Sequence, residues 1–461
     1  MIRSDAKNLV RDNYGNIILQ SLCWAILAAF SIVFYKERTC FGDASVIIID
    51  LIRKKQMVVA HHRYSIILMY FIPLLLIKAG AGLKAILISF SLNQYVSTFL
   101  VTALTIFITK NLKHGWLFLL AQVFWVHESF YYSALESITY MIPISYFLIS
   151  NYYLENKNRL FFYCSGIIFI VLIFLSSPNA ILLFFLTNGL LMSLHYRSDF
   201  KSIVFIVLGC CIGYLLLKLM IPFNGYENMK YEKLMENLKN YKHLDNAAMA
   251  YYAKRVYAGK WYYWGITIVV FISLIFKKQI PFLLGALAMM VAAHYICCIY
   301  NYQWETNTYM EMYYQMAGIC FCILIYITLF KINYSRISIG LILFLFLMGI
   351  SQIWNNRGIF VARVQSIENL TSEMARKNIS KGILKPDDAR LKSLIIGWAY
   401  AFESVLLSTL QGNTRTIYLS DTIDRNKSKT AFYTSIENYN THEEILNKDY
   451  FKLNEEAYTF L

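Results

Sequence analysis

Asp43 lies in the stretch Phe41-Gly42-Asp43-Ala44, soon after a long apolar run, in a segment that also carries Glu37, Arg38, His61, His62 and Arg63. A carboxylate at the edge of hydrocarbon is costly unless hydrated or paired, so its position there points to chemistry. An acid of this kind can serve as general base toward a hydroxyl. Arg63 precedes an apolar stretch, and a guanidinium can grip a phosphate through two parallel hydrogen bonds. A second acidic cluster runs from His127-Glu128 to Glu136. If it continues the preceding helix, Glu128, Tyr132 and Glu136 share one face at i, i+4 and i+8. Structural duties compete with these roles. Asp43 ahead of Ala44-Ser45-Val46-Ile47 is a good N-cap, and Glu128 or Glu136 can neutralise an arginine or cap a helix.

Basic residues supply candidates for holding a phosphate: Arg38, His62, Arg63, and, from the Lys- and Tyr-rich segment 222–260, Lys254 and Arg255. The plainer reading of that segment is a solvated basic loop at a headgroup surface. His61 and His62 are adjacent, so on a helix they point about 100° apart. No third ligand follows at metal spacing, and contact with lipid headgroups suits the pair better. No cofactor follows from the sequence; a divalent metal is compatible with the chemistry but not supported by spacing. Of nine cysteines, only Cys40 falls in a polar segment, so no disulfide framework or zinc site can be assembled. P-loop, dinucleotide, nucleophile-elbow and HExxH motifs are absent.

The elements that must position these groups are greasy helices. The 461 residues are 58% hydrophobic and 15% charged, against roughly 25% charged in soluble domains. That marks an integral membrane protein. A net charge of +15 would suggest nucleic acid in a soluble chain, but here the basic residues cluster in short loops, and no nucleic-acid partner is expected. Runs long enough to span lie near 17–35, 84–109, 115–133, 136–153, 160–176, 180–195, 202–221, 261–276, 281–300, 310–330 and 337–354, about eleven in all. The first lacks a small-x-small cleavage site and reads as an uncleaved span. Residues 64–77 are apolar but short and interrupted by Pro73, which suits an interfacial helix. With the N-terminus cytoplasmic, inner loops hold Lys110 and Lys113, Lys157 and Arg159, Arg197 and Lys201, Lys277 and Lys278, and Lys331 and Arg336, while 176–179 and 301–308 hold no Lys or Arg.

The expected architecture is therefore an all-α polytopic membrane protein. Residues 1–354 form the transmembrane domain, with interfacial helices in the first outer loop. Residues 355–461 form a small extracytoplasmic C-terminal domain, α/β or mostly helical. Within it Asp387–Leu410 reads as an amphipathic helix stopped by Gly412, and Thr416–Leu419 as a short strand.

This layout resembles the GT-C superfamily of polyprenyl-phosphate-sugar-dependent membrane glycosyltransferases, including protein mannosyltransferase-like and aminoarabinose-transferase-like enzymes. The likeness covers the layout of about residues 1–354. At residue level it rests on Glu37-Arg38 leading to Phe41-Gly42-Asp43-Ala44, and on the acid of His127-Glu128-Ser129-Phe130. The chain is also similar to a group of bacterial envelope proteins in which a Glu-Arg…Asp-Ser/Ala stretch precedes one like His61-His62-Arg63-Tyr64. It departs from the many members that carry two adjacent acids or Asp-x-Asp; here Asp50 is the next acid. The resemblance implies a bacterial inner-membrane enzyme that moves a sugar, with inversion, from a polyprenyl-phosphate donor to a hydroxyl of a glycan, lipid or protein acceptor. Asp43 and Glu128 would be its catalytic acids. A lipid-linked oligosaccharide polymerase or ligase, and a lipid or glycan flippase or transporter, are the alternatives.

Overall fold

The computed structural model describes residues 14–57, 59, 63–124, 126–132, 137–220, 225–239, 261–300, 307–332, 336–391, 397–421, 432–433, 446–454 and 456–461. Helices dominate them. In chain order these are α1 (Tyr14–Val33), α2 (Tyr35–Thr39), α3 (Asp43–Lys54), α4 (Ile67–Lys78), α5 (Leu83–Thr109), α6 (His114–Val123), α7 (Ser137–Glu155) and α8 (Arg159–Phe174). There follow α9 (Pro178–Leu194), α10 (Phe200–Met220), α11 (Gly225–Lys239), α12 (Trp261–Phe276), α13 (Ile280–Tyr300), α14 (Asn307–Tyr326), α15 (Arg336–Arg376) and α16 (Tyr400–Leu410). In hydrocarbon a backbone must satisfy its own hydrogen bonds, which is why the apolar runs are helical. Several helices stop on lysines in the left-handed conformation, Lys55, Lys110, Lys157 and Lys278, where the positive charge also suits a helix C-terminus.

Among the described residues, four helical stretches are long and apolar enough to cross a membrane: Tyr14–Val33, Leu83–Thr109, Phe200–Met220 and Ile337–Arg376. The protein is thus a membrane protein built mostly of helices, several of the others among the described residues being shorter apolar helices. The segment expected to lie in the interface is α4, twelve residues long with Pro73 inside it, well short of the roughly 20 residues a span needs.

Two expected helices are corrected, and the expected domain division meets a continuous helix. The span foreseen at 115–133 is only the ten-residue α6, and beyond Val123 the chain turns extended, bends, and forms a 3-10 turn at Ser129–Tyr131. Glu128 and Tyr132 therefore do not share a helix face, and Glu136 lies outside the described residues. The division at 354 falls inside α15, a single helix of 41 residues, about 60 Å long. Of the helix expected over Asp387–Leu410, Tyr400–Leu410 is α-helical, Ala389–Leu391 is a 3-10 turn, and 392–396 lie outside the described residues. Near the start of this stretch, the Asp388 carboxylate accepts from both the amide and the guanidinium of Arg390, at 2.9 Å and 2.6 Å, a local closure that competes with helix.

The C-terminal region holds a parallel three-stranded sheet in the order β2-β1-β3, from β1 (Lys381–Leu384), β2 (Thr416–Leu419) and β3 (Thr459–Phe460). Thr416–Leu419 is the strand that the sequence predicts. Gly382 sits between Ile417 and Thr459 in register. Parallel neighbours need a crossover, and α16 supplies it between β1 and β2. That helix is buried from Tyr400 to Ser408 and packs against β2, α15 and α3. A continuous apolar core links α1 to the C-terminal region, from Cys23 to Phe451.

Candidate functional site

Asp43 stands where two short helices meet. α2 ends at Thr39, and Cys40-Phe41-Gly42 turns the chain into α3. Gly42 has φ +52° and ψ −133°, a combination open in practice only to glycine. A methyl group there would stand 3.1 Å from the Tyr132 ring. Gly42, not Asp43, is the N-cap of α3; Asp43 is its first residue. The expected N-cap role is corrected, although a carboxylate still suits the positive end of the helix. Asp43 is half-buried, and the Tyr132 hydroxyl donates to its Oδ2. The Phe41 and Tyr132 rings meet edge to face at 5.6 Å.

α4 brings a further hydroxyl to this place. Tyr70 is 1% exposed, and its hydroxyl has no hydrogen-bond partner among the described residues. It feels both Asp43 and Arg63: burial pushes its pKa well above the ordinary value, Asp43 adds to the rise and Arg63 opposes it. Arg63 is half-buried just before the turn that opens α4. Asp43 thus has a phenol bonded to it, while Tyr70 lies within electrostatic reach of Asp43 and of Arg63.

The turn carrying Asp43 is held from behind by the C-terminal region. The Gly42 amide donates to Glu403 Oε1 at 2.8 Å, and the other carboxylate oxygen receives the Arg363 guanidinium. Glu403 and Arg363 are 0% and 1% exposed. Arg363 also lies over the Phe41 ring, 4.4 Å from its centroid. Burial pushes the Glu403 carboxyl above its usual range, and Arg363 and the Gly42 amide pull it back.

Glu128 is buried at 3% exposure, and the segment around it is organised by an acid the sequence reading passed over. Glu311 on α14 accepts from the His127 amide, from the Glu128 amide at 3.1 Å and from the Ser129 hydroxyl at 3.0 Å. These groups would otherwise be unsatisfied outside a helix. Arg38, foreseen as a phosphate ligand, is enclosed instead. Its guanidinium bonds Ser91 at 2.8 Å, Gln94 at 2.6 Å and the Phe130 carbonyl, and lies 4.3 Å from the Phe130 centroid. It is 0% exposed, so it braces the turn that leads to Tyr132 and is closed to a soluble or lipid anion. His61, His62, Lys254 and Arg255 lie outside the described residues. Among the described residues no group of three His, Cys, Asp or Glu side chains could hold a metal ion.

A cleft of about 550 Å³ opens along the seam between the C-terminal region and the membrane helices, lined in part by Lys55, Lys78, Gly80, Thr409, Asp449 and Tyr450. It lies at the far end of α3, about 18 Å from Asp43 at 1.5 Å per residue. Comparison of the chain with protein-family models, with characterised proteins and with solved structures finds no match.

Proposed function

We propose that the protein is a membrane glycosyltransferase that moves a sugar from a polyprenyl-phosphate donor to an acceptor hydroxyl at the outer face of a bacterial inner membrane. The observation that carries this reading is the half-buried Asp43 with the Tyr132 hydroxyl bonded to it. An acid oriented by a phenol suits a reaction that removes a proton, and a guanidinium at the start of an interfacial helix suits the negative charge such a reaction builds on its leaving group. The acceptor oxygen attacks the anomeric carbon while the bond from that carbon to the phosphate oxygen breaks. Asp43 takes the acceptor proton. The electron pair leaves on the phosphate, which Arg63 stabilises and to which the Tyr70 hydroxyl donates. One displacement inverts the anomeric configuration. Glu128 acts indirectly, since its segment carries Tyr132, and further spans among the shorter helices enclose the lipid chain.

The test is transfer from a purified polyprenyl-phosphate sugar by Asp43→Asn. The expected loss is at least about a thousandfold, in the upper range for removing a general base, with the elution profile and melting temperature of the folded protein kept. Full turnover by this variant discards the mechanism.

A further inference from the structure

Glu403 is a buried acid on α16 whose partners do not both lie in its own region. A carboxylate taken out of water needs a cation and further hydrogen bonds to be tolerated. Arg363 on the neighbouring α15 supplies the cation. The second partner is remote: the amide of Gly42, on the turn between α2 and α3. That amide belongs to the N-cap residue of α3 and lies in the Phe41–Gly42 peptide plane, within the turn that leads into Asp43. Arg363 closes the arrangement by covering Phe41, the residue before Gly42. An ion pair that only joined α15 to α16 would need neither contact.

We propose that Glu403 is a positioning residue for Asp43, acting through the Gly42 amide, so that the C-terminal region completes the site. This rests on the reading of Asp43 as the base. Glu403 holds the turn in the one backbone conformation that directs the Asp43 carboxylate to Tyr132. The C-terminal region touches the acid's segment from behind and leaves the chemistry to Asp43.

The test compares two double variants of the full-length protein in detergent micelles. Glu403→Gln with Arg363→Gln removes both buried charges but keeps an acceptor for Gly42. Glu403→Leu with Arg363→Met removes the charges and the acceptor. The native reporter is Cys40, 1% exposed two residues before Gly42, whose alkylation by N-ethylmaleimide is followed by peptide mass spectrometry. The second pair should label about tenfold faster than the first, the factor expected when one hydrogen bond restraining a local opening is lost. The first pair should track the unsubstituted protein. In the transfer assay the second pair should lose about tenfold in kcat with the donor KM held, and the first should recover most of it. Equal protection of Cys40 in both pairs overturns the proposal whatever the activity. Full turnover by Asp43→Asn removes the base but leaves the labelling difference standing, so the two failures are told apart. If the Leu and Met pair does not fold, Glu403→Ala against Glu403→Gln gives the same comparison with Arg363 intact.

Discussion

Tyr70 shows how one atom can be more informative than the residue that carries it. A buried hydroxyl without a partner among the described residues costs on the order of 1–3 kcal/mol, and this one lies within electrostatic reach of Asp43 and Arg63. Tyr70→Phe removes that cost along with the hydroxyl. The variant should therefore melt no lower than the unsubstituted protein and lose transfer activity about tenfold or more, read by thermal unfolding and turnover on one preparation. A destabilised but fully active variant would make the hydroxyl structural. Asp43 could be read in the sequence because a lone acid beside a span is rare. Tyr70 could not, being one of 36 tyrosines with nothing in spacing to single it out, and Tyr132 stood out only through a helical spacing from Glu128 that the folded segment does not have. Glu403 did leave a trace, as an isolated acid among Tyr400, Ala401, Phe402, Val405 and Leu406. Its two partners come from segments far off in the chain, so only folding reveals what it does.

Helices were legible wherever hydropathy alone decides them, and misread where a side chain from elsewhere intervenes. The apolar stretch 115–133 has the composition of a span, yet it is helical only to Val123. What the sequence could not disclose is that Glu311, on α14, collects the donors of His127, Glu128 and Ser129. With that acceptor in place a non-helical segment can stay buried; without it the same amides would demand helix. Glu311→Ala should consequently cost at least about 2 kcal/mol, since several buried donors lose their acceptor at once. The fall should show as a lower midpoint in thermal or denaturant unfolding, with Glu311→Gln losing less because it keeps one carbonyl oxygen. A Glu311→Ala protein as stable as the original would mean that the segment is held by other contacts.

Taken as a whole, the molecule is less divided than its hydropathy profile. The polar tail beyond residue 354 was legible as something other than a span, and its strand at Thr416–Leu419 was placed correctly from turn signals and β-branched residues. The expected division at residue 354 rests on composition, whereas a domain boundary is a matter of packing. The buried core runs without interruption into the tail, and Phe41, Phe360 and Arg363 are covered jointly by both parts. Ending the chain after Arg376 should uncover this surface and leave the Arg363 charge without Glu403. The shortened protein should aggregate or melt at a lower temperature by size-exclusion and thermal assays, whereas a detachable domain would come away without harm. The reach of α15 has a mechanical corollary. Forty-one residues without a joint make a stiff rod, one arm apolar enough to cross a membrane and the other bearing the guanidinium that clasps Glu403. When such a rod leans to fit a thicker or thinner bilayer, its far arm must swing, and the turn bearing Asp43 is what it is fastened to.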